Sequence, residues 1–123
     1  MANELSLSCS LAYNKNSVFI SETITTLLVT VTGNGVNSLN SFTATTSAVA
    51  IPLGSSTSAG GWIFIQNLDP SNYVKVLTAT GGTVFARLLP GEFCLFRFDN
   101  SVTAPAVQAN TASCNIKFCL FDL

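Results

Sequence analysis

The sequence predicts an all-β chain: a single-domain antiparallel β-sandwich, jelly-roll-like, over residues 1–123. Three observations predict it. Apolar and polar residues alternate with period two along several short runs, turn residues separate those runs, and no stretch sustains a helical period. Roughly eight to ten short strands with frequent turns make a sandwich or jelly roll.

The first run is the most regular. Leu5, Leu7, Cys9, Leu11 and Tyr13 alternate with Glu4, Ser6, Ser8, Ser10 and Ala12, so one face is expected to meet a core and the other water. After a polar turn at Asn14-Lys15-Asn16, Val18-Phe19-Ile20 leads into a second run from Ile24 to Thr32. Leu27, Val29 and Val31 share one face there, and the threonines between them suit a strand and disfavour a helix. Gly33-Asn34-Gly35 reads as a tight turn, because Gly and Asn tolerate positive φ. Residues 36–50 have low complexity but contain Leu39, Phe42 and Val49, which suggests one or two short edge strands ending at Ile51-Pro52. Composition makes 52–61 a flexible loop.

The stretch from Gly60 to Asp99 organises the rest. It reads as a meander of four strands, GGWIFIQN, NYVKVLTAT, TVFARLLP and GEFCLFRFD, cut apart by turns at Leu68-Asp69-Pro70-Ser71, Thr80-Gly81-Gly82 and Pro90-Gly91. Trp62 and Phe64 alternate with Ile63 and Ile65, while Phe93, Leu95 and Arg97 alternate with Cys94, Phe96 and Phe98. Both strands are therefore apolar on two faces and need cover on two sides. A brief strand at Ala106–Ala109 follows, and a last one at Ser113–Leu123 sets Cys114, Ile116, Phe118 and Leu120 opposite Asn115, Lys117, Cys119 and Phe121.

Composition narrows the function classes. Charged residues make up 9% of the chain, against about 25% in an ordinary soluble domain. Either Ser, Thr and Asn carry a neutral surface, or copies of the chain or a partner cover much of it. Lys15, Lys75, Arg87, Arg97 and Lys117 are scattered, which argues against nucleic acid. No apolar run approaches the roughly 20 residues that span a bilayer, so no membrane role is expected. The Met-Ala-Asn-Glu start lacks the features of a secretory signal, so folding in a cytoplasm is expected. Cys9, Cys94, Cys114 and Cys119 match no common zinc spacing, and His is absent. Cys9 and Cys114 fall on apolar faces and read as reduced, buried thiols, with two disulfides as the alternative.

Little chemistry is on offer. Without His, a Ser or Cys nucleophile lacks its usual base. A carboxylate pair could be drawn from Glu4, Glu22, Asp69, Glu92, Asp99 and Asp122, but Asp69, Glu92 and Asp99 sit at turns, where such residues cap. No catalytic, cofactor-binding or metal-binding residue is therefore expected, and no enzyme. Arg87 and Arg97 lie within apolar strands, either snorkelling from a partly covered face or pairing with Glu92 or Asp99, or else forming ion pairs between subunits. The aromatic set Trp62, Phe64, Tyr73, Phe85, Phe93, Phe96 and Phe98 suits core and interface packing, or a sugar-stacking surface. On the second apolar faces, Trp62, Phe64, Phe93 and Arg97 are the expected contact residues.

Within Gly61 to Leu123 a strand ending in N-L-D turns into N-x-V-x-V, at Asn67, Leu68, Asp69, Asn72, Val74 and Val76. L-x-P-G-E then opens the next strand, at Leu88, Pro90, Gly91 and Glu92. In these motifs the chain resembles small β-sandwich virion proteins of tailed bacteriophages. The resemblance implies a non-enzymatic capsid decoration or minor head protein, present in the virion in many copies after synthesis in a host cytoplasm. Such a subunit would form a homo-oligomer, a trimer by analogy, and bind other virion proteins. The competing class is a carbohydrate-binding or adhesin module that uses surface aromatics.

Overall fold

The computed structural model describes residues 4–31, 36–54 and 61–121. Among them are ten strands and no helix, arranged in three antiparallel sheets. The chain divides into two compact units, Met1–Thr32 and Gly33–Leu123. The sequence suggests one sandwich over 1–123, whereas the sandwich strands all lie in the second unit.

The first unit is a long hairpin. Strand β1 (Leu5–Lys15) pairs with β2 (Val18–Val29) in register from Lys15 opposite Val18 to Leu5 opposite Val29. Its two-residue loop, Asn16-Ser17, has φ of 53° and 65°, the doubly positive turn that matches strand twist. An irregularity falls between Leu7 and Cys9, whose partners are Leu27 and Ile24, so β2 holds one extra residue there. Leu11, Tyr13, Ile20 and Ile24 are exposed, and so is Cys9. The alternation therefore identifies the residues that share a face, but the expected core contact of that face and the expected burial of Cys9 are not met. A two-stranded hairpin brings no second layer of its own.

The second unit contains the other eight strands: β3 (Val36–Ala44), β4 (Val49–Ala50), β5 (Trp62–Asn67), β6 (Val74–Leu77), β7 (Val84–Leu88), β8 (Phe93–Arg97), β9 (Ala106–Ala109) and β10 (Cys114–Phe121). One sheet has the order β3-β10-β5-β8 and the other β4-β9-β6-β7. The pairing is nested, since β3 pairs with β10, β4 with β9, β5 with β8 and β6 with β7. The low-complexity stretch does supply two edge strands, β3 and β4. The four strands of the central stretch form where expected but are not a meander: only β6 and β7 are paired neighbours in sequence, while β5 and β8 join the opposite sheet. Local alternation sets strand positions, whereas partner choice follows from which inner faces must meet. Most of the loop expected at 52–61 lies outside the described residues, at 55–60.

The two sheets close on one core. Ile63 and Ile65 of β5 and Cys114, Ile116, Phe118 and Leu120 of β10 face Val74, Val76, Leu88, Val107 and Ala109 from the other sheet, and all are buried. Phe42 packs edge-on against Phe118 with ring centroids 5.9 Å apart. Burying apolar area at about 25 cal/mol per Å² is the main force holding the sheets together.

One buried polar residue ties the turns to this core. Asn67, at the end of β5, donates through Nδ2 to the carbonyls of Asn72 (2.8 Å) and Leu88 (3.0 Å). Its Oδ1 accepts from the Asp69 N–H at 2.9 Å, and its backbone bonds Glu92 and Gly91. Leu89-Pro90-Gly91-Glu92 closes with a Glu92 N–H to Leu89 carbonyl bond of 2.9 Å, with Gly91 at φ 81°. Those are the requirements of a type II turn, with Pro second and a positive φ third. The N-L-D and P-G-E motifs are thus halves of one structural knot.

Candidate functional site

Strand register assembles a single outer face on the β3-β10-β5-β8 sheet. Along β5, Ile63, Ile65 and Asn67 point inward and are buried, while Trp62, Phe64 and Gln66 are half-buried on the other side. Each has cross-strand neighbours on the same side. Trp62 lies between Phe121 and Arg97, Phe64 between Cys119 and Leu95, and Gln66 between Lys117 and Phe93. All four contact residues expected from the sequence, Trp62, Phe64, Phe93 and Arg97, therefore share this face. Phe93 is 59% exposed, and its ring lies 5.9 Å from that of Phe64.

Leu95, Cys119 and Phe121 join the face, with Ser38 and Val36 of β3 beside Cys119 and Phe121. Alternation in the last strand separates Cys119 and Phe121 from the core residues, but nothing local indicates that β10 lies beside β5. Trp62 Nε1 is buried without a hydrogen-bond partner among the described residues. An unpaired buried donor normally costs about 1–3 kcal/mol. Gln66, Lys117 and Arg97 give the face a polar margin, so an apolar centre is framed by groups that remain hydrated, as at protein interfaces.

A second aromatic feature lies where the edge strands β7 and β8 leave the sandwich open. The rings of Phe85, Phe96 and Phe98 meet nearly edge-on, with centroids 4.9 to 5.8 Å apart, a geometry favoured by the aromatic quadrupole. They line a groove of about 390 Å³ with Cys94 beside them. Burial pushes the Cys94 thiol up to about 11, so it stays protonated and poorly nucleophilic. Its lining is almost wholly hydrocarbon, with Thr78, Arg97 and Asp99 at its rim.

Of the acids named as possible catalysts, Asp69, Glu92 and Asp99 are engaged in turns, Glu22 lies within β2, and Asp122 falls outside the described residues. Asp69 Oδ1 accepts from the N–H groups of Ser71 (2.8 Å) and Asn72 (2.6 Å), which hold its carboxyl below the usual range. Asp99 accepts from the Ser101 hydroxyl and N–H, with the same effect. Glu92 Oε2 accepts from the Leu89 N–H at 2.7 Å, and Glu4 from that of Val31 at 3.1 Å. These are the bonds that carboxylates make as caps. Arg87 stacks its guanidinium 3.8 Å from the centre of the Tyr73 ring, a cation–π contact.

Cys9, Cys94, Cys114 and Cys119 are free thiols, with Cys119 Sγ 3.2 Å from Ser38 Oγ. Among the described residues no three His, Cys, Asp or Glu side chains converge as a metal ion would require. No family model, curated protein or solved structure matches this chain.

Proposed function

We propose that this chain is a non-enzymatic virion structural subunit, a capsid decoration or minor head protein, that self-associates and docks on a larger protein shell through the outer face of the β3-β10-β5-β8 sheet. The observation that carries the reading is that face: Trp62, Phe64, Phe93 and Leu95 form an apolar centre with a polar margin on a chain of only 9% charged residues. A free monomer pays for such a surface in solubility, whereas a subunit fixed in a shell hides it. Nested pairing of eight strands across two sheets supports a jelly-roll reading, an architecture used by both capsid and lectin domains. Fold alone does not choose between those uses. The distribution of polar groups favours the shell: sugar hydroxyls need hydrogen-bonding partners, and the caps occupy Asp69, Glu92 and Asp99.

The test uses virus particles purified from a culture that makes the chain, labelled with antibody raised against it. Many copies on each head are expected, with incorporation reduced by Phe93→Ser or by Trp62→Ala with Arg97→Ala. Absence from particles, combined with glycan binding that Phe93→Ser abolishes, would replace this reading with the carbohydrate-binding one.

A further inference from the structure

The hairpin of the first unit presents an apolar face of its own. Cross-strand register puts Leu7, Cys9, Leu11 and Tyr13 of β1 on one side with Leu27, Ile24 and Ile20 of β2. Leu11, Tyr13, Val18, Ile20, Ile24 and Leu27 are each between 43% and 58% exposed. At about 100 Å² apiece they leave on the order of 600 Å² of apolar surface, the top of what a monomer ordinarily exposes. That is most of the roughly 800 Å² per partner in a specific interface.

Three further properties restrict the occupant. Among the described residues the sheet contains only β1 and β2, so the outer edge of each strand lacks a ladder partner in its sheet. Those strands are 11 and 12 residues long, and long apolar edges are what proteins blunt unless pairing is wanted. A lone hairpin is marginally stable in water, so it gains from cover. The face carries one base, Lys15, and one acid, Glu22, separated by the Tyr13–Ile20 pair. It is therefore neutral and can meet a copy of itself without net repulsion.

We infer that the β1–β2 hairpin is the self-association element, packing its apolar face against the same face of a second copy of this chain. This rests on the proposed self-associating subunit and assigns its contacts: hairpins join copies, and the aromatic sheet face meets the shell. A contact that uses the same face on both partners is a two-fold one.

The test compares full-length wild type with the triple variant Leu11→Thr, Ile20→Thr, Ile24→Thr, in reductant, by sedimentation velocity. Threonine keeps the strand preference while removing the apolar face. The variant is expected to sediment as a monomer at concentrations where wild type is an oligomer, with the emission of Trp62, the only tryptophan, unchanged. An oligomer retained by the variant sinks the hairpin assignment and leaves self-association standing; a wild type monomeric at every concentration sinks both. Maleimide labelling of wild type provides a check that needs no variant. Cys9 is exposed in the single chain and lies on this face, so at least tenfold slower labelling is expected in concentrated than in dilute protein, measured under pseudo-first-order conditions. Equal rate constants across the range of association overturn the proposal.

Discussion

Replacing Asn67 by Ala should remove a large part of the sandwich's stability. The residue is fully buried, and its side chain makes three hydrogen bonds, to Asn72, Leu88 and Asp69. Truncation leaves the Leu88 carbonyl buried without that partner, at a cost of about 1–3 kcal/mol. Asn72 and Asp69 are half-buried, so water recovers part of their loss. With a small cavity added, the expected total is about 3–5 kcal/mol, a large share of the roughly 5–15 kcal/mol that holds a domain folded. The assay is guanidinium unfolding at fixed protein concentration, because oligomerisation adds mass action to any midpoint. Asn67→Leu restores volume without hydrogen bonds and should remain about as unstable. Asn67→Asp keeps the acceptor but turns a carboxylate toward two carbonyl oxygens, and should be no better. A loss below about 1 kcal/mol in Asn67→Ala at unchanged slope, or full rescue by Leu, would refute the claim that these bonds tie the two turn motifs together.

Acid should weaken the fold in a predictable window. The Asp69 carboxyl is held below its ordinary value of 3.8, chiefly by the Asn72 N–H. A depressed folded value contributes stability above the unfolded value that is lost as pH falls through the folded one. The unfolding midpoint of wild type should therefore drop below about pH 4, and Asp69→Asn, which retains an acceptor but does not titrate, should drop less. Cys94, with its thiol pushed up to about 11, should react with iodoacetamide at pH 8 about 100-fold more slowly than a thiol at the ordinary value of 9.0, on thiolate fraction alone. Mass spectrometry of native and urea-unfolded protein reads that difference, and a native rate equal to the unfolded one would contradict the burial.

Much of the sandwich is legible in the sequence because a period-two pattern reports two things at once, a strand and its inner face. Ile63 and Ile65, or Ile116 and Phe118, identify themselves by alternation, and they are buried. Pairing was not legible: the turn residues between β5 and β6 look like those of a hairpin, but the chain crosses there from one sheet to the other. The candidate face was half legible. Trp62 and Phe93 stand out on strands already apolar on their other side, while Leu95, Cys119 and Phe121 join them only through the β10-β5-β8 neighbourhood. Cys9 and Leu11 mislead for a related reason. Alternation states that a face is apolar and is silent on what covers it. Asn67 gave no apolar signal, and its burial follows from the three backbone groups it satisfies.

We propose that the chain's apolar faces are covered by other molecules, beginning with copies of itself. The most direct measurement is the mass of the wild-type chain in solution, across a dilution series and with reductant present to exclude adventitious disulfides. A defined multiple of 12.9 kDa at high concentration, falling toward a single chain only on strong dilution, is the predicted result. A monomer of 12.9 kDa at every concentration would contradict it.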